Sequence, residues 1–270
     1  IFLDAYPEIP SPSGALSLGG KNALDRAIQD GTLILNYSGH GGEIGWTEEQ
    51  LLRLDQIPSW GNYDKLTFFF TATCEFGRYD DPGLVSGGEL VLLTETGGAI
   101  SIMTTTRPVY ASANRSINLA FYDQLFKRDS NGELLNLGEV IRKTKNQSEQ
   151  TNNRNFALLG DPSLKLNLPD KKVRVTEING FSTSLLQDTL KALCLASIKG
   201  EVVDLDNSRL NNFEGKVDIK VFDKALNLQT LGNTGGKYSY SQYKNLLFKG
   251  KASVNNGEFT VQFVVPKDID

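Results

Sequence analysis

Up to about residue 168, short apolar runs rich in β-formers alternate with segments of helical spacing. Thr32-Leu-Ile-Leu-Asn-Tyr37, Leu66-Thr-Phe-Phe-Phe-Thr-Ala72 and Ala99-Ile-Ser-Ile-Met103 are almost continuously apolar, as expected of strands buried on both faces. Ile1-Phe-Leu-Asp-Ala-Tyr6 also reads as a strand. Ala23, Leu24, Ala27 and Ile28 share one face of a predicted helix, with Gly31 placed to end it. Thr47-Glu-Glu-Gln50 fits a capping box, predicting a helix that stops before Pro58. Further helices are expected near 89–96, 113–127 and 138–147. This alternation predicts an α/β domain over 1–168, with a partly parallel sheet flanked by helices.

The pattern changes at Leu168-Pro-Asp-Lys-Lys172. Val173-Arg-Val-Thr-Glu-Ile178, Val217-Asp-Ile-Lys-Val-Phe222 and Phe259-Thr-Val-Gln-Phe-Val-Val265 have the period-two alternation of half-buried strands, and turns such as Asn255-Asn-Gly257 separate them. Residues 171–270 therefore read as an immunoglobulin-like all-β domain.

Composition narrows the chemistry. The 270 residues carry 28 Lys+Arg and 32 Asp+Glu, for a net charge of −4. With no long basic run, nucleic acid is a poor partner. No stretch of about 18 apolar residues exists to form a membrane-spanning helix. Two cysteines and one histidine exclude a disulfide-stapled scaffold, and they cannot by themselves complete a structural zinc site. No cofactor is called for. Asp80 and Asp81 supply clustered oxygens suited to calcium but fall well short of its ligand number. The chain opens without Met or a basic and apolar leader, and reads as a piece of a longer protein.

The lone His40 lies in Asn36-Tyr-Ser-Gly-His-Gly-Gly42 and Cys74 in Thr71-Ala-Thr-Cys-Glu-Phe-Gly77, each just past a predicted strand. Ligands of open α/β sheets bind outside the carboxyl ends of the strands, so both residues fall on the functional edge. An imidazole beside a thiol favours the thiolate, which makes Cys74 a nucleophile and His40 its acid and base. The amides of Gly41 and Cys74 would form the oxyanion hole. The competing readings are a buried structural Cys74 or a Cys74–Cys194 disulfide. Cys194, in the alternating Leu190-Lys-Ala-Leu-Cys-Leu-Ala-Ser-Ile198, is expected in the core. Glu43, Trp46, Glu75 and Arg107 are assigned to the substrate side. Against that, Glu43 and Glu75 also read as solvated loop acids, and Arg107 as half of an ion pair.

These motifs resemble the gingipain family of cysteine endopeptidases, which have a caspase-like fold. The resemblance runs through Asn36-Tyr-Ser-Gly-His-Gly with Trp46, Thr73-Cys-Glu-Phe-Gly77, Gly97-Gly-Ala-Ile, Thr106-Arg-Pro-Val-Tyr110 and Leu158-Leu-Gly-Asp-Pro-Ser-Leu164. It implies that His40 and Cys74 are the catalytic pair. It also implies a carboxylate upstream of the histidine that orients the imidazole, and Asp4 and Glu8 are the only acids before Asp25. The upstream half of the family's peptidase region has no counterpart here.

Phe222-Asp-Lys224, Thr230-Leu-Gly-Asn233, Phe248-Lys-Gly250 and Gly257-Glu-Phe-Thr with Val265-Pro-Lys-Asp-Ile269 resemble the branch that serves type IX secretion as signal peptidase. That branch implies protein substrates with C-terminal sorting domains, other type IX secretion components as partners, and the extracellular face of a Gram-negative outer membrane. It further implies sortase-like transfer of cargo to a lipopolysaccharide amine. A general gingipain-like endopeptidase and a non-catalytic surface module are the alternatives.

Overall fold

The computed structural model describes residues 1–270 apart from 13, 149, 186–188, 234 and 270. It divides into two compact units: residues 1–167 with 230–236, and 168–229 with 237–270.

The first unit is built on a four-stranded sheet. Its strands are β1 (Ile34–Ser38), β2 (Thr67–Ala72), β3 (Ala99–Thr105) and β4 (Phe156–Gly160), adjacent in that order. β1, β2 and β3 run parallel and β4 antiparallel, so the sheet is mixed. Every residue of β2 is buried. Its consecutive phenylalanines divide by the two-residue period of a strand. Phe69 packs against Trp46 and Trp60, while Phe68 and Phe70 meet Phe121. Helices therefore cover both faces. α1 (Leu18–Asp30) and α2 (Gly87–Leu93) bring Leu24, Ile28 and Val91 to the Phe69 side. Phe121 of α3 (Ala111–Leu125) covers the other, with α4 (Leu137–Gln147) packed on α3. Ser86 and Glu89 form a reciprocal capping box on α2.

Two predicted elements are replaced. Leu3–Ala5 is a 3-10 turn, not part of a strand. The Asp4 carboxylate there accepts the backbone N–H groups of Gly232 (3.0 Å) and Asn233 (2.7 Å), which fixes a bend instead of an extended pairing. Thr47–Gln50 forms no helix, because Thr47 (φ 59°) and Gln50 (φ 53°) are left-handed and cannot propagate a right-handed turn. Gly45–Trp46 pairs instead with Leu52–Arg53, putting Trp46 and Leu52 into the core, and a 3-10 helix at Leu54–Ser59 follows.

The second unit consists of antiparallel sheets. β5 (Lys172–Ile178), β6 (Leu195–Val203) and β9 (Glu258–Val264) form one, extended by Phe181–Ser182. β7 (Gly215–Phe222) pairs with β8 (Leu246–Val254), and Leu226–Gln229 pairs with Ser239–Gln242. Ala196, Ile198, Val261 and Phe263 pack against Val221, Phe248 and Ala252, with Phe248 stacked on Phe263 at 4.5 Å. Asn256 (φ 50°) and Gly257 (φ 76°) make the turn between β8 and β9. Cys194 is exposed and free, contrary to its expected core position. The alternation breaks at left-handed Leu193, and β6 begins only at Leu195.

Candidate active site

β1 and β2 are adjacent and parallel, and their register ends at Ser38 opposite Ala72. The Gly39 N–H still reaches the Ala72 carbonyl at 3.4 Å. His40 and Cys74 each lie two residues beyond the Ser38–Ala72 pair, at the carboxyl ends of neighbouring strands. Because the strands are in register and only about 4.8 Å apart, the two loops start side by side.

The histidine loop is pinned through its backbone. The His40 carbonyl accepts from the Tyr37 hydroxyl (2.6 Å) and the Thr47 N–H (3.0 Å). Burial, reinforced by the charge of Glu49, pushes the Tyr37 phenol up, which keeps this donor protonated. The Thr47 bond makes Gly41 and Trp46 a non-hydrogen-bonded antiparallel pair, so the Gly41 N–H faces away from that partner strand. Trp46 is 1% exposed and stacks on Tyr37 with ring centroids 4.3 Å apart. It supports the loop from the core and offers no surface to a substrate. The imidazole is exposed and has no hydrogen-bond partner among the described residues. Asp4 is engaged by the 230–233 segment: the Thr230 hydroxyl and the Asn233 and Gly232 amides hold its carboxyl below the usual range.

The cysteine turn is fixed from β3 and α3. The Ala72 carbonyl accepts from Asn114 Nδ2 (3.0 Å), and the Thr73 carbonyl from the Thr105 hydroxyl. The Gly77 N–H donates to the Thr105 carbonyl at 2.9 Å. Gly77 tolerates no side chain, since a Cβ would stand 2.0 Å from Thr104 Cγ2. Cys74 is half-buried, and its Sγ lies 3.6 Å from the Val109 carbonyl oxygen. Glu75, next in the chain, is left-handed at φ 54°.

Charged side chains lie along these two loops. Arg78 Nη1 donates to Glu43 Oε1 at 2.8 Å and lies 3.6 Å from Glu75 Oε1. Arg107 forks onto Asp80 (2.9 and 2.5 Å), and that hydrogen bonding holds the Asp80 carboxyl low. Arg107 is therefore in an ion pair, and the Asp80 oxygens proposed for calcium face a guanidinium. Asp81 Oδ1 accepts the Gly83 N–H at 2.8 Å. No group of three or more His, Cys, Asp or Glu converges among the described residues.

The structure thus starts the His40 and Cys74 loops from neighbouring strand ends and joins Glu43 to Glu75 through Arg78, while Trp46 packs in the core. Sequence reasoning missed Arg78. Its spacing of three residues from Glu75 was the available signal. His40 lines two grooves. One, of about 940 Å³, includes Leu3, Ile34 and Tyr37; the other, of about 760 Å³, includes Ile44, Gln50 and Leu54.

A family model described as Peptidase family C25 matches residues 1–167. Among solved structures, the Arg-specific cysteine proteinase gingipain R (RgpB) is 14% identical, with a TM-score of 0.49 over 90% of this chain and 49% of its own. The complex of Porphyromonas gingivalis RgpB pro- and mature domains is also 14% identical, with a TM-score of 0.48 over 90% of this chain and 50% of its own. Dimeric latent PorU from Porphyromonas gingivalis is 32% identical, with a TM-score of 0.37 over 65% of this chain and 17% of its own. This chain spans about half the length of the gingipain R chains. No curated protein matches it.

Proposed function

This chain belongs to peptidase family C25, cysteine peptidases of gingipain, caspase-like α/β fold, and on that premise we propose that it cleaves peptide bonds with a Cys74–His40 dyad. The observation that carries the reading is the register of β1 and β2, which starts both loops two residues from one matched pair. Cys74 Sγ, as thiolate, attacks the scissile carbonyl carbon. A C–S bond forms, and the C–N bond breaks as the imidazolium of His40 protonates the departing amine. His40 then takes a proton from water, whose oxygen displaces the thiolate and yields the carboxylic acid. The N–H groups of Gly41 and Cys74 stabilise the oxyanion. The outward-facing Gly41 amide supports that role.

The same thioester yields an amide if an amine replaces water, the chemistry of transpeptidation. The substrate we propose is the C-terminal sorting signal of type IX secreted proteins, cleaved at the cell surface with transfer to a lipopolysaccharide amine. Support comes from the second-unit motifs at 222–224, 230–233, 248–250 and 257–269 and from the 32% identity to PorU. The same motifs support reading the second unit as an immunoglobulin-like sandwich, as does its two-sided core. In the full-length protein, Cys74→Ala should leave the sorting domain attached to secreted cargo. Processed cargo from that variant would overturn the reading.

A further inference from the structure

The dyad chemistry requires two loops to keep a fixed separation, because a displacement of about 1 Å is enough to cost orders of magnitude in rate. Backbone pairing between β1 and β2 ends at Gly39, before either reactive residue. Beyond it, among the described residues, one side chain connects the two segments ionically. Arg78 Nη1 lies 2.8 Å from Glu43, three residues past His40, and 3.6 Å from Glu75, which follows Cys74. The ends of this link are themselves fixed. The Glu43 carbonyl accepts the Gly87 N–H at 2.8 Å, and the Arg78 N–H donates to the Glu75 carbonyl at 3.1 Å. The Glu43 and Glu75 side chains are only 17% and 28% exposed, so water screens the pairing less than on an open surface.

Charge gives the arrangement a second consequence. Without the guanidinium, the Glu43 and Glu75 carboxylates that it bridges would face each other unmatched, and their repulsion would drive the two loops apart. Asp81 also acts on Arg78, while Asp80 is already matched by Arg107.

We infer that Arg78 is a positioning residue for the His40–Cys74 pair, tying the histidine loop to the cysteine turn and neutralising the two carboxylates it joins. The inference rests on the dyad reading above, and its test separates the two. Iodoacetamide alkylation of Cys74 is followed against pH by intact mass in a Cys194→Ala background, with circular dichroism to check folding. The parent should alkylate at pH 6.5 well above the rate of His40→Ala. Arg78→Met should move the profile toward His40→Ala, slowing alkylation at pH 6.5 about tenfold as the two loops lose their fixed separation. Arg78→Glu should be slower still, and the exchanged pair Glu43→Arg with Arg78→Glu should recover most of that loss.

A folded Arg78→Met that superposes on the parent would overturn the inference. So would an exchanged pair no faster than Arg78→Glu, which decides the matter if Arg78→Met fails to fold. A parent that superposes on His40→Ala would instead overturn the dyad reading.

Discussion

Gly41 and Thr73 approach so closely that a Cβ on the glycine would stand 2.5 Å from the threonine hydroxyl and 2.9 Å from the Gly45 carbonyl oxygen. The contact joins the loop that carries His40 to the residue before Cys74. Gly41→Ala should therefore push the two loops apart at a cost of about 1–3 kcal/mol, typical of overpacking. Thermal melting should show that loss, and Cys74 alkylation at neutral pH should slow. Adding Thr73→Ala should return part of both, because it removes the nearer of the two obstacles.

The two thiols provide an internal comparison. Cys194 is exposed and Cys74 only half-exposed, so access alone predicts faster labelling of Cys194. We expect the reverse at neutral pH, since thiolate fraction governs the rate. Peptide mapping after brief iodoacetamide treatment reads this directly, and preferential labelling of Cys194 would argue against an activated Cys74.

Tyr37 and Trp46 hold the histidine loop from below, through one hydrogen bond and one stacked pair. Tyr37→Phe keeps the stacking and removes the donor to the His40 carbonyl. Its stability loss should be about 1 kcal/mol. Trp46→Ala empties a fully buried site and should lose about 3–5 kcal/mol. Denaturant titration distinguishes these magnitudes. A Trp46→Ala variant of near-parental stability would contradict its place in the core.

Asp4 predicts a pH dependence with a definite sign. Its carboxyl is depressed by the Thr230 hydroxyl and by the amides of Asn233 and Gly232. The stabilisation is therefore complete above the ordinary carboxyl value of 3.8 and is lost as pH falls through the lower folded-state value. Hydrogen exchange should show protection of the Gly232 and Asn233 amides at neutral pH, fading in acid below that range. Asp4→Asn should already lack it at pH 7.

The parts legible in the sequence were those governed by local pattern. Thr67–Ala72 could be read as a strand buried on both faces because three successive phenylalanines leave no solvent side. Once two strand ends were recognised, His40 and Cys74 fell on one sheet edge without further information. Features set by distant partners were not legible. The Thr47–Gln50 box has good local helix chemistry, yet pairing of Gly45–Trp46 with Leu52–Arg53 imposes left-handed turns at both its ends. Ile1–Tyr6 looked extended because nothing local announces the amides at 232 and 233 that bend it at Asp4. The partners of Arg78 lie at separations of 35 and three residues, and only the second leaves a trace in the sequence.

The membership of residues 230–236 in the first unit bears on where the chain can be cut or divided. The first unit is assembled from two stretches separated in the chain, so residues 1–167 taken alone lack part of what packs with them. A recombination event that moved residues 1–167 alone would carry Asp4 away from the amides that engage it. A single nick between 168 and 229 would likewise leave the first unit with residues on both sides of the cut.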